Sequence, residues 1–163
     1  MIDGGAGNDT LTGGLGDDEI VTGTGDDIVN GGAGSDYITV GANLTAADQI
    51  NGGSSGELYD SEIDTLELSG SYASYVTLGA ATIVNVERFL IRAGQIKLAV
   101  NAATNVRTVD ASSQLQTDSL WFNGSAATNA MTISGGAGAD RITGGAGNDS
   151  ICLLYTSPSP RDS

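Results

Sequence analysis

Four aspartates, Asp9, Asp18, Asp27 and Asp36, stand nine residues apart, and each closes a short run rich in glycine. A carboxylate offers hard oxygen acceptors. Closely spaced glycines permit positive φ and tight turns, so that backbone carbonyls are free to point inward beside it. An all-oxygen donor set of this kind suits calcium, a hard cation that takes six to eight oxygens from carboxylates and carbonyls. A single turn cannot supply that many, so an ion has to lie between turns. The chain has no histidine and one cysteine, Cys152, which excludes an internal disulfide framework or zinc cluster.

These aspartates need a scaffold that repeats every nine residues. Gly4 to Thr39 supplies it as four uninterrupted units, GGAGNDTLT, GGLGDDEIV, TGTGDDIVN and GGAGSDYIT. Small residues fill the first two positions, glycine the fourth, aspartate the sixth and an aliphatic the eighth. The glycines are Gly4, Gly7, Gly13, Gly16, Gly25, Gly31 and Gly34, with Thr22 standing where the third unit begins. The eighth-position residues are Leu11, Ile20, Val29 and Ile38. The three residues after each Asp suit a short strand whose middle side chain faces a core. One aliphatic per nine residues buries no face alone, so neighbouring units must stack. A flexible Gly/Asp linker is the bland alternative, but linkers do not hold an aliphatic in register with an aspartate.

The pattern G-G-x-G-x-D-x-U-x resembles the repeats-in-toxin (RTX), hemolysin-type calcium-binding repeats. That resemblance implies an all-β fold, a parallel β-roll or β-helix-like solenoid in which two nonapeptides make one coil. Calcium then sits between turns on the same side, two repeats apart. Asp9 would share an ion with the turn of Asp27, and Asp18 with that of Asp36. The carbonyls of Gly5, Gly7, Gly14, Gly16, Gly23, Gly25, Gly32 and Gly34 would complete the shells. Asp140 and Asp149, in GGAGADRIT GGAGNDSI from Gly135 to Ile151, match the same motif, with Ile142 and Ile151 as core aliphatics. The resemblance further implies a bacterial protein secreted to the exterior or cell surface. Type I secretion machinery and cell-surface or self-assembly partners go with it, and calcium outside the cell folds the chain. The middle of the chain is similar, more weakly, to large surface-layer and adhesin-type proteins.

Charge fits that expectation. The formal charge of the 163-residue chain is -14, and it is lopsided. Residues 1–67 hold fourteen carboxylates and no Lys or Arg, whereas residues 68–163 hold six charges of each sign. Uncompensated carboxylates repel and expand the segment unless cations bind. Nucleic acid and anionic membrane are therefore excluded as partners of that half, and no apolar run of about 18 residues exists to span a membrane.

In chain order, the acidic block 1–67 ends in two stretched repeats, with Asp48 and Asp64 as further candidate ligands; Glu57, Asp60 and Glu62 read as solvated charges. Residues 68–134 are β-rich, with strands expected at Tyr72–Leu78, Thr82–Val86, Phe89–Ile91, Gln95–Val100, Val106–Val109, Leu120–Phe122 and Met131–Ile133. Turn-formers such as Gly70, Gly79, Gly94, Asn101 and Gly124 separate them, and a continuing parallel solenoid is expected. Trp121 and Phe122 are adjacent, so one of them should be core; Arg88, Arg92, Lys97 and Arg107 read as a solvated strand face. Residues 135–151 form the second nonapeptide block. The string CLLYTSPSPRD, residues 152–162, resembles a translated transposase sequencing adapter, so 152–163 is expected to be a non-native tail. The first residues enter mid-pattern, and a fragment is expected.

Two rival functions stand beside a calcium-binding structural or secretion module. One is the repeat region of a larger secreted hydrolase or toxin. Gly52–Gly56, GGSSG, does match G-x-S-x-G with Ser54 as nucleophile, but no histidine exists to serve as its base. The fragment itself is thus not expected to be an enzyme. The other rival is adhesion to carbohydrate through the middle segment, where Trp121 is the natural platform.

Overall fold

The strands form where the sequence alternates between a turn of small residues and a triplet with one apolar centre. The computed structural model describes residues 1–54, 62–72, 75–78, 82–100 and 105–154. Gly56, Glu57, Asp60, Gly79, Asn101 and the tail from residue 155 onward lie outside the described residues. The strands are β1 (Ile2–Asp3), β2 (Thr10–Leu15), β3 (Glu19–Val21), β4 (Ile28–Ala33), β5 (Tyr37–Gly41) and β6 (Gln49–Gly53). They continue as β7 (Thr65–Ser69), β8 (Val76–Leu78), β9 (Ile83–Val84), β10 (Arg88–Ala93), β11 (Gln95–Val100) and β12 (Thr108–Asp110). The last four are β13 (Ser119–Asn123), β14 (Thr132–Ser134), β15 (Arg141–Thr143) and β16 (Ser150–Cys152). No helix occurs among the described residues, and every ladder between these strands is parallel.

The fold is an all-β parallel solenoid. One eight-stranded sheet, β1-β3-β5-β7-β10-β12-β14-β16, runs its whole length. Each coil leaves that sheet, visits a second one and returns. In the first half the second sheet is β2-β4-β6-β9, and in the second half it is β8-β11-β13-β15. The changeover falls between β7 and β10, in a coil that carries both β8 and β9 and so visits both shorter sheets.

Register explains why the coils stack despite their unequal lengths. The pairings of the long sheet align Ile2, Ile20, Ile38, Leu66, Phe89, Val109, Ile133 and Ile151 in one inward row. The inner members from Ile20 to Ile133 are fully buried. On the first short sheet Leu11, Val29, Ile50 and Ile83 form the facing row. On the second, Val76, Leu98, Phe122 and Ile142 do so. The first full coil buries only Leu11 and Ile20, so only the stack makes a core. Phe122 is buried and Trp121 faces out, as alternation along a strand requires. Ile142 is half-buried against the core. Ile151, expected in the core, is instead 45% exposed, because it lies on β16, over which no described strand stacks. Cys152, the first residue of the adapter-like string, pairs with Ser134 in that strand.

Candidate metal centre

The turns between strands hold the candidate ligands, and glycine sets their shape. Gly5, Gly7, Gly14, Gly16, Gly23, Gly25, Gly32 and Gly34 all adopt positive φ, between 87° and 133°. These are the eight positions at which carbonyl ligands are expected. Turn also stacks on turn. A methyl group on Gly23 or Gly25 would run into the carbonyl oxygens of Gly5 and Gly7, and one on Gly32 into that of Gly14. Glycine is thus required twice over, for backbone sign and for close approach along the solenoid axis. Some of these carbonyls already accept a bond: Gly5 from the Thr24 N–H (2.8 Å), Gly32 from that of Ser54 (2.8 Å), and Gly23 from Asn43 Nδ2 (2.8 Å). Each keeps a second lone pair.

The sixth-position aspartates form two ladders that climb the same turns. The N–H of Asp9 donates to Asp27 Oδ1 (2.9 Å), and that of Asp27 to Asp48 Oδ1 (2.8 Å). On the other side the N–H of Asp18 donates to Asp36 Oδ1 and that of Asp36 to Asp64 Oδ1, both at 2.8 Å. The Asp64 N–H donates onward to Glu87 Oε2 at 3.0 Å. So Asp48 and Asp64, the two stretched repeats, hold the same rung position as the regular ones. Glu87 continues the ladder without any glycine-rich motif, and sequence gave no signal of it; only the pairing of Thr65 with Arg88 brings it into line.

What remains is the second oxygen of each carboxylate. Asp9 Oδ2, Asp18 Oδ2 and Asp36 Oδ2 are buried and have no hydrogen-bond partner among the described residues. A buried polar atom without a partner costs about 1–3 kcal/mol, so three within the first four turns need an explanation. Burial, first, and then the charges of Asp18, Asp17 and Glu62 push the Asp36 carboxyl above its ordinary value; the Asp18 N–H opposes them. These turns therefore have the donor chemistry of a hard cation: orphaned carboxylate oxygens beside turned carbonyls, with like charges stacked along one axis. No group of three or more acidic, histidine or cysteine side chains converges among the described residues. An ion here has to take most of its oxygens from the backbone.

The second block is built differently. Asp140 Oδ1 accepts the N–H of Leu120 (2.8 Å) and Asp149 Oδ1 that of Met131 (2.9 Å), so both hold the ladder position. But Asp149 Oδ2 already accepts the N–H of Gly145 in its own turn at 2.7 Å. None of Gly136, Gly138, Gly145 and Gly147 has positive φ. Asp48 and Asp118 are capped in the same way, by the N–H groups of Thr45 (2.7 Å) and Leu115 (2.9 Å). Ser54 follows β6, with its N–H on Gly32, away from any histidine since the chain has none.

A family model for the RTX calcium-binding nonapeptide repeat matches residues 3–38 and 132–152, in four copies. The chain carries RTX-type repeats. Both matched RTX segments carry the ladder aspartates, and the segment between them carries the continuing coils. No curated protein and no solved structure matches the chain.

Proposed function

We propose that the first RTX block binds calcium between successive turns and that this binding drives folding of the module. Asp9 and Asp27 serve one side, Asp18 and Asp36 the other. The carbonyls of Gly5, Gly7, Gly14, Gly16, Gly23, Gly25, Gly32 and Gly34 supply the remaining oxygens. The observation that carries this reading is the set of buried, partnerless oxygens Asp9 Oδ2, Asp18 Oδ2 and Asp36 Oδ2. Bound calcium supplies the positive charge that these oxygens lack, and its binding energy becomes folding energy. Asp140 and Asp149 join the ligand set only if their turns rearrange, since Gly145 now occupies the oxygen that Asp149 would offer.

The same chemistry supports a secreted, extracellular bacterial module of surface-layer or adhesin type. Repelling carboxylates keep it expanded where calcium is scarce, and it folds outside, where extracellular calcium sites work at roughly 10⁻⁴ to 10⁻³ M. Circular dichroism of the full chain, first in chelator and then in millimolar calcium, tests the proposal. A large gain of β signal on calcium addition is expected, with a midpoint in that concentration range. A β signal already complete in chelator overturns calcium-driven folding.

A further inference from the structure

The outer face of the second short sheet stands apart from the rest of this acidic molecule. Its strands β8, β11, β13 and β15 carry no carboxylate at all. Register places Lys97, Trp121 and Arg141 side by side on adjacent strands, and by extension of the β8–β11 pairing Tyr75 stands next to Lys97. One outward row therefore alternates aromatic, cation, aromatic, cation, at the strand spacing of about 4.8 Å. Lys97 Nζ lies 5.0 Å from the centroid of the Trp121 ring, and the Tyr75 and Trp121 rings are 6.4 Å apart at 46°. Both rings are exposed. The nearest turn acids face elsewhere: Asp140 Oδ1 accepts from Leu120 and Asp118 Oδ2 from Leu115.

Beside this row is a depression of about 460 Å³ lined by Tyr75, Trp121, Asn123, Ser125, Arg141 and Thr143. Its size is within the range of ligand clefts, and its lining divides into three chemistries. Two aromatic rings offer apolar faces. An amide and two hydroxyls offer short-range donors and acceptors; Asn123 Oδ1 accepts the Ser125 N–H (3.1 Å), which orients the amide so that its NH₂ can donate. Arg141 offers a guanidinium that makes no ion pair among the described residues.

We propose that this depression binds a carboxylate-bearing sugar, a uronic-acid unit of an acidic polysaccharide. Arg141 pairs with the carboxylate in the bidentate manner that its planar fork favours. Asn123, Ser125 and Thr143 bond the ring hydroxyls, and Trp121 and Tyr75 cover the C–H face of the sugar ring. Lys97 adds positive charge and steadies the Trp121 ring through its cation–π contact. A cationic, acid-free face on a chain of charge -14 is the complement of an anionic ligand with few charges. A dense polyanion would be repelled by the remainder of the molecule.

The test uses the full chain in millimolar calcium, its β signal verified before any sugar is added, so that a failure of calcium-driven folding is seen separately. The probes are a glucuronic-acid-containing tetrasaccharide, its uncharged methyl ester and a single-stranded DNA oligomer. Binding is read by calorimetry and by the fluorescence of Trp121, the sole tryptophan. Saturable binding of the acid is expected, roughly tenfold weaker for the ester. Arg141→Gln should bind acid and ester alike, and Trp121→Ala should lose both. Equal binding of acid and ester by the native chain overturns the proposal, as does unchanged binding by Trp121→Ala, binding of neither sugar, or tighter binding of the DNA oligomer. If Trp121→Ala does not fold, the native chain and Arg141→Gln decide the matter between them.

Discussion

The hexapeptide GGAGND occurs twice, as Gly4–Asp9 and as Gly144–Asp149, and folds in two ways. In the first copy Gly5 and Gly7 have φ of 87° and 114°, and Asp9 Oδ2 is buried without a partner. In the second, neither Gly145 nor Gly147 has positive φ, and Asp149 Oδ2 takes the N–H of Gly145. Local sequence cannot explain the difference. The neighbouring coil can. The first copy lies beneath Gly23 and Gly25, which match its turn glycine for glycine. The second lies on Ala127 and Asn129, whose carbonyls face Gly145 and Gly147. Neither Ala127 nor Asn129 has positive φ, and the Cβ of Ala127 in particular disfavours the left-handed backbone. An RTX turn therefore keeps positive-φ glycines and an uncapped aspartate oxygen where it stacks on another RTX turn, and caps its aspartate with its own N–H where it stacks on an ordinary loop.

The widest test of that contrast removes what the two blocks share. Phe89 is fully buried in the inward row of the long sheet, between Leu66 and Val109. Phe89→Ala should cost about 3–5 kcal/mol and lower the thermal midpoint of the calcium-loaded chain as one transition. Two separate transitions would show that the blocks fold independently. A finer test exchanges the two hexapeptide aspartates. At every calcium concentration that folds the chain, Asp149→Ala should cost about 1–3 kcal/mol, because it strands the N–H groups of Met131 and Gly145. Asp9→Ala should act through the ion instead, weakening the calcium midpoint about tenfold, a change of about 1.4 kcal/mol, since its buried Oδ2 accepts no protein hydrogen bond. Denaturant melts of both variants across a calcium series check this, and an equal dependence on calcium would erase the distinction between the blocks.

The smallest effect concerns pH, in calcium. The Ser112 hydroxyl, foremost, holds the Asp110 carboxyl below 3.8, against burial, with the Ser112 N–H and Arg88 assisting. The stability it contributes is present above 3.8 and is lost as pH falls through the lowered value. Asp110→Asn should flatten that slope in acid titrations followed by circular dichroism.

Sequence carried the first block well, because its spacing is unbroken and each position has one physical duty. The aliphatics Leu11, Ile20, Val29 and Ile38 are in the core, and the turn glycines have the backbone sign their motif demands. Strands through the middle were legible from β-branched and apolar triplets. Three things were not. The switch from one short sheet to the other at β8 and β9 depends on how coils pack, which no triplet encodes. Glu87 enters the carboxylate ladder through register alone. The column Asn30–Asn51–Asn85–Asn105, in which each amide donates to the previous one at 3.0–3.3 Å, joins residues at unequal separations and so leaves no period to find.

Those unequal separations carry a consequence for engineering. Successive coils are bridged over 18 residues at Asp9 and Asp27 but over 34 at Asn51 and Asn85, yet the inward rows stay aligned. Nearly doubling the length of a closed loop adds only about 0.6 kcal/mol of closure entropy. Extra chain is thus cheap on this scaffold provided that it leaves and rejoins at the same rung. The sequence has itself added length between Asp48 and Asp64 without moving either aspartate off its ladder, so a foreign peptide spliced between two rungs would hang from a frame whose shape is set by the inward rows.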